Sequence, residues 1–343
     1  MPNPLREWKR WLFLAFVLGL VAAGLGVRHV YQFATSPLAV SQPAVLQVPE
    51  GASYNRVVTH LVEGGWAEPG DAFELKLLGR VFGVTARIHA GEYRLTPGMT
   101  PMTLLDHLVG GKVILHSVTL PEGWTVAQFL ARLRAKDALD SARLPAGPED
   151  RALLAMLGLD DDASAEGWLF PETYRFRRGD AAGDILRQAH QRMRRILQAE
   201  WAERDADLPI DSAYEALILA SIVEKETAVP SERALIAGVF MNRLRAGMRL
   251  QTDPTVIYGL GEEFDGNLQK HHLRQDDPYN TYRRAGLPPT PIANPGRDAL
   301  RAACQPAETD ARYFVARGDG THVFSETLAE HNRAVRRYQL GGR

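Results

Sequence analysis

The sequence predicts an α+β protein that is held in a membrane by one N-terminal helix. Three observations carry this prediction. An uncharged apolar run lies near the N-terminus, a strand-turn-helix pattern recurs over the first third of the chain, and a long apolar helix precedes loops rich in proline and glycine. The 343 residues suffice for two domains, and contents of 45% hydrophobic and 24% charged residues are ordinary for folded protein.

The apolar run covers residues 11–27 and follows a basic cluster of Arg6, Lys9 and Arg10. As a helix it is roughly 25 Å long, near the lower limit for crossing a hydrocarbon core of ~30 Å. The positive charge before the run predicts a cytoplasmic N-terminus. A cleaved signal peptide is the alternative, but its apolar region is usually shorter, and no A-x-A site follows Val27. We therefore expect an uncleaved anchor, with the rest of the chain outside the cytoplasm.

A short pattern recurs three times after a proline-containing stalk. Each copy has a turn glycine, a helix-capping hydroxyl two positions later and a leucine ten positions after the glycine, and a strand-like run precedes it. The glycines and their capping residues are Gly51 with Ser53, Gly98 with Thr100, and Gly123 with Thr125. The plain interpretation is a strand-turn-helix building block. The units also resemble LysM-like modules, strand-helix-helix-strand folds that lie on glycan chains, and this resemblance implies glycan binding over 45–120.

Composition and absent motifs exclude several functional classes. The 40 basic residues against 41 acidic ones leave a formal charge of -1, so we expect no nucleic-acid partner. Cys304 is the sole cysteine, which excludes an internal disulfide and a cysteine-based metal cluster. The sequence lacks the H-E-x-x-H and G-x-S-x-G motifs, and the adjacent His271 and His272 point to different sides of any regular element. We expect neither a metal nor a cofactor.

The apolar run LILASIVEKET ends on two acids, Glu224 and Glu226. In a helix over about 212–227, Glu224 shares a face with Leu217 and Ser221, while Glu226 is rotated about 200° away. Burial in an apolar wall raises the pKa of a carboxyl and keeps its proton at neutral pH, as a general acid requires. The alternative for Glu224 is a helix-end residue paired with a neighbouring arginine.

Two later segments, RLQTDPTVIYGL and DPYNTYRRAGLPPTPIANPG, carry polar side chains on backbone with many prolines and glycines. Hydrogen-bonding side chains on rigid loops suit a sugar, which has many hydroxyls. We predict substrate-binding roles for Gln251, Asp253, Thr255, Asn280 and Tyr282, with Glu226 as a secondary member. For Asp253 the alternative is a helix cap, and for Glu226 it is a surface acid or an ion pair with Arg233.

A family resemblance rests on four long motifs: EGWLFPETY, SIVEKET, MRLQTDPTVIYG and YNTYRRAGLPPTPIANPG. They closely resemble those of the endolytic murein transglycosylases, the YceG-like or MltG family, and the likeness covers nearly the whole chain. The resemblance implies an inner-membrane protein, facing the periplasm, that cuts nascent peptidoglycan strands and has peptidoglycan synthases as candidate partners. It also implies that the catalytic glutamate is Glu224, the first acid of VEKET.

The implied reaction needs one catalytic carboxyl, whereas hydrolytic glycosidases generally use two, ~5–9 Å apart. In a lytic transglycosylase the C6 hydroxyl of N-acetylmuramic acid attacks its own C1, closes a 1,6-anhydro ring and expels N-acetylglucosamine. On this hypothesis Glu224 protonates the bridging oxygen and then accepts the hydroxyl proton. The rival hypothesis is a non-catalytic scaffold that holds peptidoglycan with the same polar loops.

The predicted organisation is a cytoplasmic tail at 1–10, a transmembrane helix at 11–28, a stalk at 29–44, a LysM-like module at 45–120 and a catalytic domain at 121–343. Near the end of the catalytic domain we predict a hairpin over 312–325 with its turn at 318–320, followed by a helix. His322 and His331 in this part are interpreted as packing residues that can also line a cleft.

Overall fold

The computed structural model describes residues 4–84, 87–160 and 163–341. These residues form the predicted mixture of helix and strand, with 50% in helices and 8% in strands. The chain divides into two compact units. The first contains the chain up to His116 together with Phe176–Gly179, and the second contains Ser117–Arg175 and the chain from Asp180 onward.

Helix α1 (Pro4–Thr35) contains the predicted anchor. Its segment Trp8–Thr35 is the one helix of the described residues that is long and apolar enough to cross a membrane. Large apolar side chains are exposed along it, such as Trp11 at 70%, which suits a helix surrounded by lipid. The helix continues past the predicted end at residue 28 because its last turns pack on the first unit, where Ala34 is buried and Phe33 contacts the core.

The rest of the first unit consists of β1 (Ala44–Val48), α2 (Tyr54–Glu63), α3 (Ala72–Val81), β2 (Gly91–Leu95) and α4 (Pro101–Gly110). Strands β1 and β2 pair antiparallel, from Ala44 opposite Leu95 to Val48 opposite Gly91. The elements from β1 to β2 have the strand-helix-helix-strand order that the sequence predicts. Their likeness to a LysM module remains a prediction.

The three recurring glycines all have the left-handed backbone that a turn of this kind requires. Their φ angles are 70° at Gly51, 80° at Gly98 and 71° at Gly123. The capping residues Ser53, Thr100 and Thr125 begin α2, α4 and α5 (Val126–Arg134), and each side chain accepts a hydrogen bond from the backbone N–H three residues later. The leucine of each copy is fully buried. The predicted turn, cap and helix are therefore confirmed in all three copies.

From His116 onward the strands are β3 (His116–Thr119), β4 (Thr173–Phe176), β5 (Tyr313–Ala316) and β6 (His322–Ser325). Strand β3 pairs with β4, and β5 with β6. The helices after α5 are α6 (Arg151–Leu157), α7 (Ala182–Ala202), α8 (Ala213–Glu226), α9 (Arg233–Arg245), α10 (Asp253–Leu260), α11 (Arg297–Cys304) and α12 (Leu328–Val335).

Helix α8 is the centre of the second unit's core. All residues from 216 to 223 are buried, and α7, α9, α10 and α11 pack around the helix. Each fully buried leucine, isoleucine or valine side chain contributes about 1.5–3 kcal/mol, so α8 is fixed by packing on all sides. The single buried stripe predicted from the sequence is too narrow, because no face of this segment meets water.

The predicted hairpin is confirmed as β5 and β6, which pair antiparallel from Tyr313 opposite Ser325 to Ala316 opposite His322. Its turn contains Gly318 and Gly320, with φ angles of 92° and 89°. The two strands form a small sheet of their own. Helix α12 follows, and its N-terminus is capped by the hydroxyl of Thr327.

Candidate active site

Both predicted acids lie on the last turn of α8. The helix begins after Ser212, whose hydroxyl accepts a hydrogen bond of 3.2 Å from the N–H of Glu215. It ends at Glu226 because Thr227 takes an extended conformation, with φ -142° and ψ 136°. Since neighbouring residues of a helix differ by ~100°, Glu224 and Glu226 leave α8 in nearly opposite directions. Their surroundings differ accordingly.

Glu226 is mostly buried, and its Oε2 accepts a hydrogen bond of 2.8 Å from the hydroxyl of Thr252. Burial raises the pKa of Glu226 to about 7, and the negative charge of Asp253 adds to the increase. The hydrogen bond from Thr252 and the charges of His322 and Arg243 oppose it. Glu226 is therefore protonated in a substantial fraction of molecules at neutral pH.

Glu226 lines a cavity of about 390 Å³ in the second unit. This volume lies within the ~300–1,000 Å³ that is usual for ligand sites. The other polar residues lining the cavity are Arg243, Gln251, Asp253, Tyr282, Tyr313, His322, His331 and Gln339. The structure thus brings Glu226 together with three of the predicted substrate-binding residues, namely Gln251, Asp253 and Tyr282.

The loop before α10 holds Gln251 in an unusual conformation. Among the described residues, Gln251 is the one non-glycine residue with a positive φ, 49°. Its N–H donates to the carbonyl of Thr281 at 3.2 Å, and the next N–H, of Thr252, donates to the hydroxyl of Thr281 at 3.1 Å. Left-handed backbone at such a residue is kept only where neighbouring contacts enforce it, and it is frequent at functional sites.

Thr255 supports this loop from behind. It is fully buried, its hydroxyl donates to the carbonyl of Thr252 at 2.8 Å, and it shares a hydrogen bond of 2.9 Å with the hydroxyl of Thr281. Thr255 is not among the residues lining the cavity. The structure gives it the role of tying the loop before α10 to the loop after Asn280.

Asp253 and Tyr282 are joined across the cavity wall. The phenol of Tyr282 donates a hydrogen bond of 2.6 Å to Oδ1 of Asp253. Asp253 is the first residue of α10, but the structure shows no side-chain cap bond at this helix start. The capping alternative is therefore not what the structure shows, and the carboxylate faces the cavity beside Glu226.

His322, which lines the same cavity, is paired with the carboxylate of Glu232. Nδ1 of His322 is 2.7 Å from Oε2 of Glu232, and the backbone N–H of His322 donates to Oε1 of Glu232 at 2.9 Å. Both side chains are largely buried, at 12% and 11% exposure. His322 lines the cavity as the sequence suggested, and so does His331, whose ring stacks on Tyr313 with centroids 5.3 Å apart.

Arg243 brings positive charge to the cavity. It is 7% exposed, and its Nε and Nη1 donate to the backbone carbonyls of Arg312, Arg249 and Leu250. Its guanidinium also lies over the ring of Tyr313, 5.2 Å from the centroid. These contacts fasten the hairpin and the loop before Gln251 to α9.

Glu224 has the contacts of the arginine-paired alternative. Its Oε1 accepts from Nη2 of Arg233 at 3.3 Å, its Oε2 accepts from the N–H of Gly296 at 2.9 Å, and 6% of its side chain is exposed. Burial raises the pKa of Glu224 above the ordinary value of a glutamate, although the N–H of Gly296 and the charge of Arg233 act in the opposite direction. Both oxygens are occupied by protein donors, and Glu224 is not among the residues lining the cavity of Glu226.

Asn280 lies in a second, smaller cavity of about 200 Å³ rather than in the cavity of Glu226. Its amide donates to the carbonyls of His272 at 3.1 Å and Gln275 at 2.7 Å, and its Oδ1 accepts from the N–H of Tyr282 at 3.0 Å. With 1% exposure, Asn280 organises the loop that presents Tyr282.

Another carboxyl with a raised pKa, Glu166, is part of the core. Burial raises its pKa to about 7. Its Oε1 accepts from the N–H of Val126 at 3.0 Å and from the amide of Asn294 at 3.1 Å, and its Oε2 accepts from the phenol of Tyr258 at 3.3 Å. With 1% exposure and all these partners, Glu166 joins segments of the second unit instead of facing the cavity.

Comparison with known proteins places the chain in a family. The sequence model of the YceG-like family matches residues 46–337. The chain belongs to the YceG-like family. The match includes the residues that line the cavity of this YceG-like protein from Glu226 to Val335, and Gln339 lies just beyond it.

Individual relatives agree with this membership. An endolytic murein transglycosylase of Bacillus subtilis is 31% identical over 85% of this chain and 84% of its own length. One from Streptococcus pneumoniae is 28% identical over 94% of this chain, which spans 64% of the length of that relative. The crystal structure of a YceG-like protein from Listeria monocytogenes superimposes with a TM-score of 0.57 at 30% identity, covering 85% of this chain and 98% of the other.

Sequence reasoning missed Arg243 and Glu232 as members of the site. Arg243 lies on a helix whose residues are mostly buried, and Glu232 lies in a short turn before that helix. Neither position carries a motif of its own in the sequence. Only the return of the hairpin to α9 and to this turn reveals them, through the hydrogen bonds to Arg312 and His322.

Proposed function

We propose that this YceG-like protein is an endolytic murein transglycosylase, and that Glu226 is its general acid. The observation that carries the proposal is one carboxyl, with a pKa of about 7, on the wall of a polar cavity. A general acid works best when its pKa is near the working pH. The names of the Bacillus and Streptococcus relatives support the substrate class.

In the proposed reaction Glu226 protonates the oxygen that links N-acetylmuramic acid to N-acetylglucosamine. The bond from C1 to that oxygen breaks, and the C6 hydroxyl of the muramic acid closes on C1 to give a 1,6-anhydro end. Because the nucleophile belongs to the substrate, holding it in place makes the attack intramolecular, with a gain of up to ~7–11 kcal/mol in the best-oriented cases. Oε1 of Glu226 is the donor, since Oε2 accepts from Thr252.

Glu226 takes the role that the resemblance had assigned to Glu224. Two donors hold Glu224, one of them the guanidinium of Arg233. Glu224 is thus held by donors of the protein and does not line the cavity of Glu226. Glu226 has one hydrogen-bond partner, Thr252, among the described residues, and it lines the cavity.

The neighbours of Glu226 have roles that follow from their contacts. The charge of Asp253 helps keep Glu226 protonated, and Tyr282 holds Asp253 in place. Gln251 offers an amide to sugar hydroxyls or acetamido groups from a strained and therefore well-fixed backbone. Thr255 and Asn280 position these loops from behind.

The proposed location follows from α1. The basic cluster before the apolar segment supports a cytoplasmic N-terminus, so the catalytic unit is proposed to lie in the periplasm at the outer side of the inner membrane. The strand-helix-helix-strand segment from β1 to β2 is proposed to bind glycan in the manner of a LysM module. Peptidoglycan synthases, which make the strands to be cut, are proposed as partners.

Product analysis tests the proposal. Purified murein is incubated with the wild-type protein and with the Glu226→Gln and Glu224→Gln variants, and the released muropeptides are examined by mass spectrometry. We expect anhydro ends, lighter by one water than hydrolytic ends, with the wild type and with Glu224→Gln but not with Glu226→Gln. If the wild type binds murein but releases no anhydro ends, the protein is the non-catalytic scaffold.

A further inference from the structure

His322 is held on one edge of its ring and free on the other. The carboxylate of Glu232 lies 2.7 Å from Nδ1 and also accepts the backbone N–H of the same residue at 2.9 Å. The ring is further enclosed by Phe314, with centroids 5.4 Å apart in an edge-to-face arrangement. A single carboxylate accepts from both the backbone and the ring of His322, and the two hydrogen bonds together orient the imidazole.

The opposite nitrogen, Nε2, opens to the cavity. No hydrogen bond joins it to another described residue, and it is not one of the buried, unpaired polar atoms of the described residues. Since His322 lines the cavity that also contains Glu226, Nε2 is accessible to a molecule bound there.

The protonation pattern follows from Glu232. Burial acts to raise the pKa of Glu232, but the two hydrogen bonds from His322 and the charges of His322 and Arg317 together hold it below its ordinary value. An ionised carboxylate can only accept, so Nδ1 must carry the ring proton. Nε2 of the neutral ring is then the basic nitrogen, as in the carboxylate-histidine pairs of serine proteases.

We propose that His322 is the general base of the reaction, oriented by Glu232, and that it accepts the proton of the C6 hydroxyl through Nε2. The proposal rests on the transglycosylase function given above. The O6–H bond breaks with its proton passing to Nε2, O6 bonds to C1, the C1–O4 bond breaks, and O4 takes the proton of Glu226. One proton enters His322 and one leaves Glu226, so exchange with solvent restores both groups and the net change is the anhydro ring.

A separate acid and base avoid a difficulty that arises when a single carboxyl must serve as both. Glu226 acting alone must give its proton to the leaving oxygen and then, as a carboxylate, take the hydroxyl proton during the same encounter. With His322 as base, each group works in one direction only. The experiment must distinguish this two-group mechanism from the single-carboxyl route.

The two routes predict different pH profiles of kcat/KM. With His322 as base, activity needs a neutral imidazole and a protonated Glu226, so the profile rises at low pH and falls at higher pH. The single-carboxyl route has no rising limb from histidine. The charged or titratable residues that share the cavity or contact the pair are Glu226, Glu232, Arg243, Asp253, Tyr282, Tyr313, Arg317 and His331. Of these, Glu226, with its pKa of about 7, sets the falling limb.

The experiment measures release of anhydro ends from murein by the full-length protein in detergent between acid and alkaline pH. For His322→Gln we expect kcat/KM to fall by about 10²- to 10⁴-fold, the usual contribution of a general base, and the rising limb to vanish. The matched control is His271→Gln, because His271 is exposed and lies outside the cavity. It should keep the wild-type profile, and thermal melting checks that each variant is folded.

A second variant tests the orientation by Glu232. In Glu232→Gln the amide oxygen keeps accepting the backbone N–H of His322, which turns the amide NH₂ toward Nδ1. Nδ1 must then accept, the ring proton moves to Nε2, and the base is lost without loss of the ring. We expect a decrease comparable to that of His322→Gln. Imidazole added to His322→Ala should restore part of the activity, which replacement of a merely structural ring would not do.

The outcomes separate the inference from the function on which it rests. If the wild type makes anhydro ends and His322→Gln keeps the rising limb at the same midpoint, His322 is not the base and the single-carboxyl route stands. If Glu232→Gln is as active as the wild type, the orienting role is wrong. If the wild type itself makes no anhydro ends, the transglycosylase function is overturned.

Discussion

The hydroxyl of Thr252 donates a hydrogen bond of 2.8 Å to Oε2 of Glu226, across 26 residues of sequence. This bond stabilises the ionised form and holds the pKa of Glu226 below the value that burial alone would give. It also leaves the other oxygen, Oε1, for a substrate. The pKa and the available oxygen of the proposed acid thus depend on Thr252, a residue at the start of the next polar loop.

Removing this hydroxyl should move the pH dependence of activity. In Thr252→Val the carboxylate loses its donor, so the pKa of Glu226 rises further above about 7. A hydrogen bond to a charged group contributes about 1.5–3 kcal/mol, so a shift of about one to two pH units is expected. The falling limb of the activity profile should move to higher pH. If the falling limb does not move, a group other than Glu226 is responsible for it.

Glu226→Gln should reduce activity and leave stability nearly unchanged, whereas Glu224→Gln should reduce stability and leave activity largely unchanged. Glu226→Gln keeps the shape but has no proton to donate, so activity should fall by about 10²- to 10⁴-fold with little change in melting temperature. Glu224→Gln weakens the contact with Arg233, a guanidinium that is 12% exposed and keeps Asp298 at 3.5 Å. We expect a loss of about 1–3 kcal/mol in unfolding free energy with activity largely retained.

Paired activity assays and thermal melts of these two variants decide the assignment. Loss of anhydro products with Glu224→Gln in a fully folded protein would restore the first acid of VEKET as the catalytic residue.

Glu166 should make the folded state less stable as the pH rises. Its pKa is raised from 4.5 to about 7 on folding, so the folded protein holds a proton that the unfolded chain has lost. The stability from this group is fully present below about pH 4 and is lost as the pH rises through about 7, a difference of about 3 kcal/mol. Glu166→Gln should therefore flatten the dependence of the melting temperature on pH between about 5 and 8.

The glutamine at this position can keep the existing contacts. Its oxygen accepts from Val126 and Asn294 as before, and its NH₂ donates to the phenol oxygen of Tyr258. The raised pKa of Glu226 makes the melting temperature depend on pH in a similar way in both proteins. The comparison is therefore between the two slopes of melting temperature against pH. Equal slopes would mean that Glu166 is ionised in the folded state.

Gly167 should tolerate no side chain. Its φ is 81°, and a Cβ would meet Cβ of Pro291 at 2.5 Å. Gly179 has a similar φ of 89° but open space around it, so it provides a matched control. Gly179→Ala should cost about 1–2 kcal/mol for the left-handed backbone alone, and Gly167→Ala clearly more because Pro291 must move. Urea unfolding measures both, and equal losses would contradict the close approach.

The anchor should account for membrane attachment. Removing residues 1–28 deletes most of the apolar segment Trp8–Thr35 but leaves Phe33 and Ala34, which pack on the first unit. We expect the shortened protein to move from the membrane fraction to the soluble fraction on centrifugation, with its melting temperature nearly unchanged. Persistence in salt-washed membranes would indicate a further attachment surface.

Local features of this fold could be predicted from the sequence because they depend on neighbouring residues. The turn glycines, the hydroxyl caps and the hairpin turn at 318–320 each follow from the conformational freedom or capping chemistry of a few adjacent positions, and the N-terminal helix follows from its apolar run. The angle between the directions in which Glu224 and Glu226 leave the helix is also a local property, because it depends only on helix geometry. Of the five residues of the polar loops that were predicted to bind substrate, the structure brings Gln251, Asp253 and Tyr282 to one cavity.

The sequence alone determined that two acids leave an apolar helix in opposite directions; only the tertiary structure decided which one meets the cavity. Helix α8 is buried all round, so helical periodicity could not distinguish its sides. Glu224 meets Arg233 and Gly296, while Glu226 meets Thr252 and the hairpin that carries His322. These partners come from segments distant in sequence, and their positions depend on how the whole second unit packs.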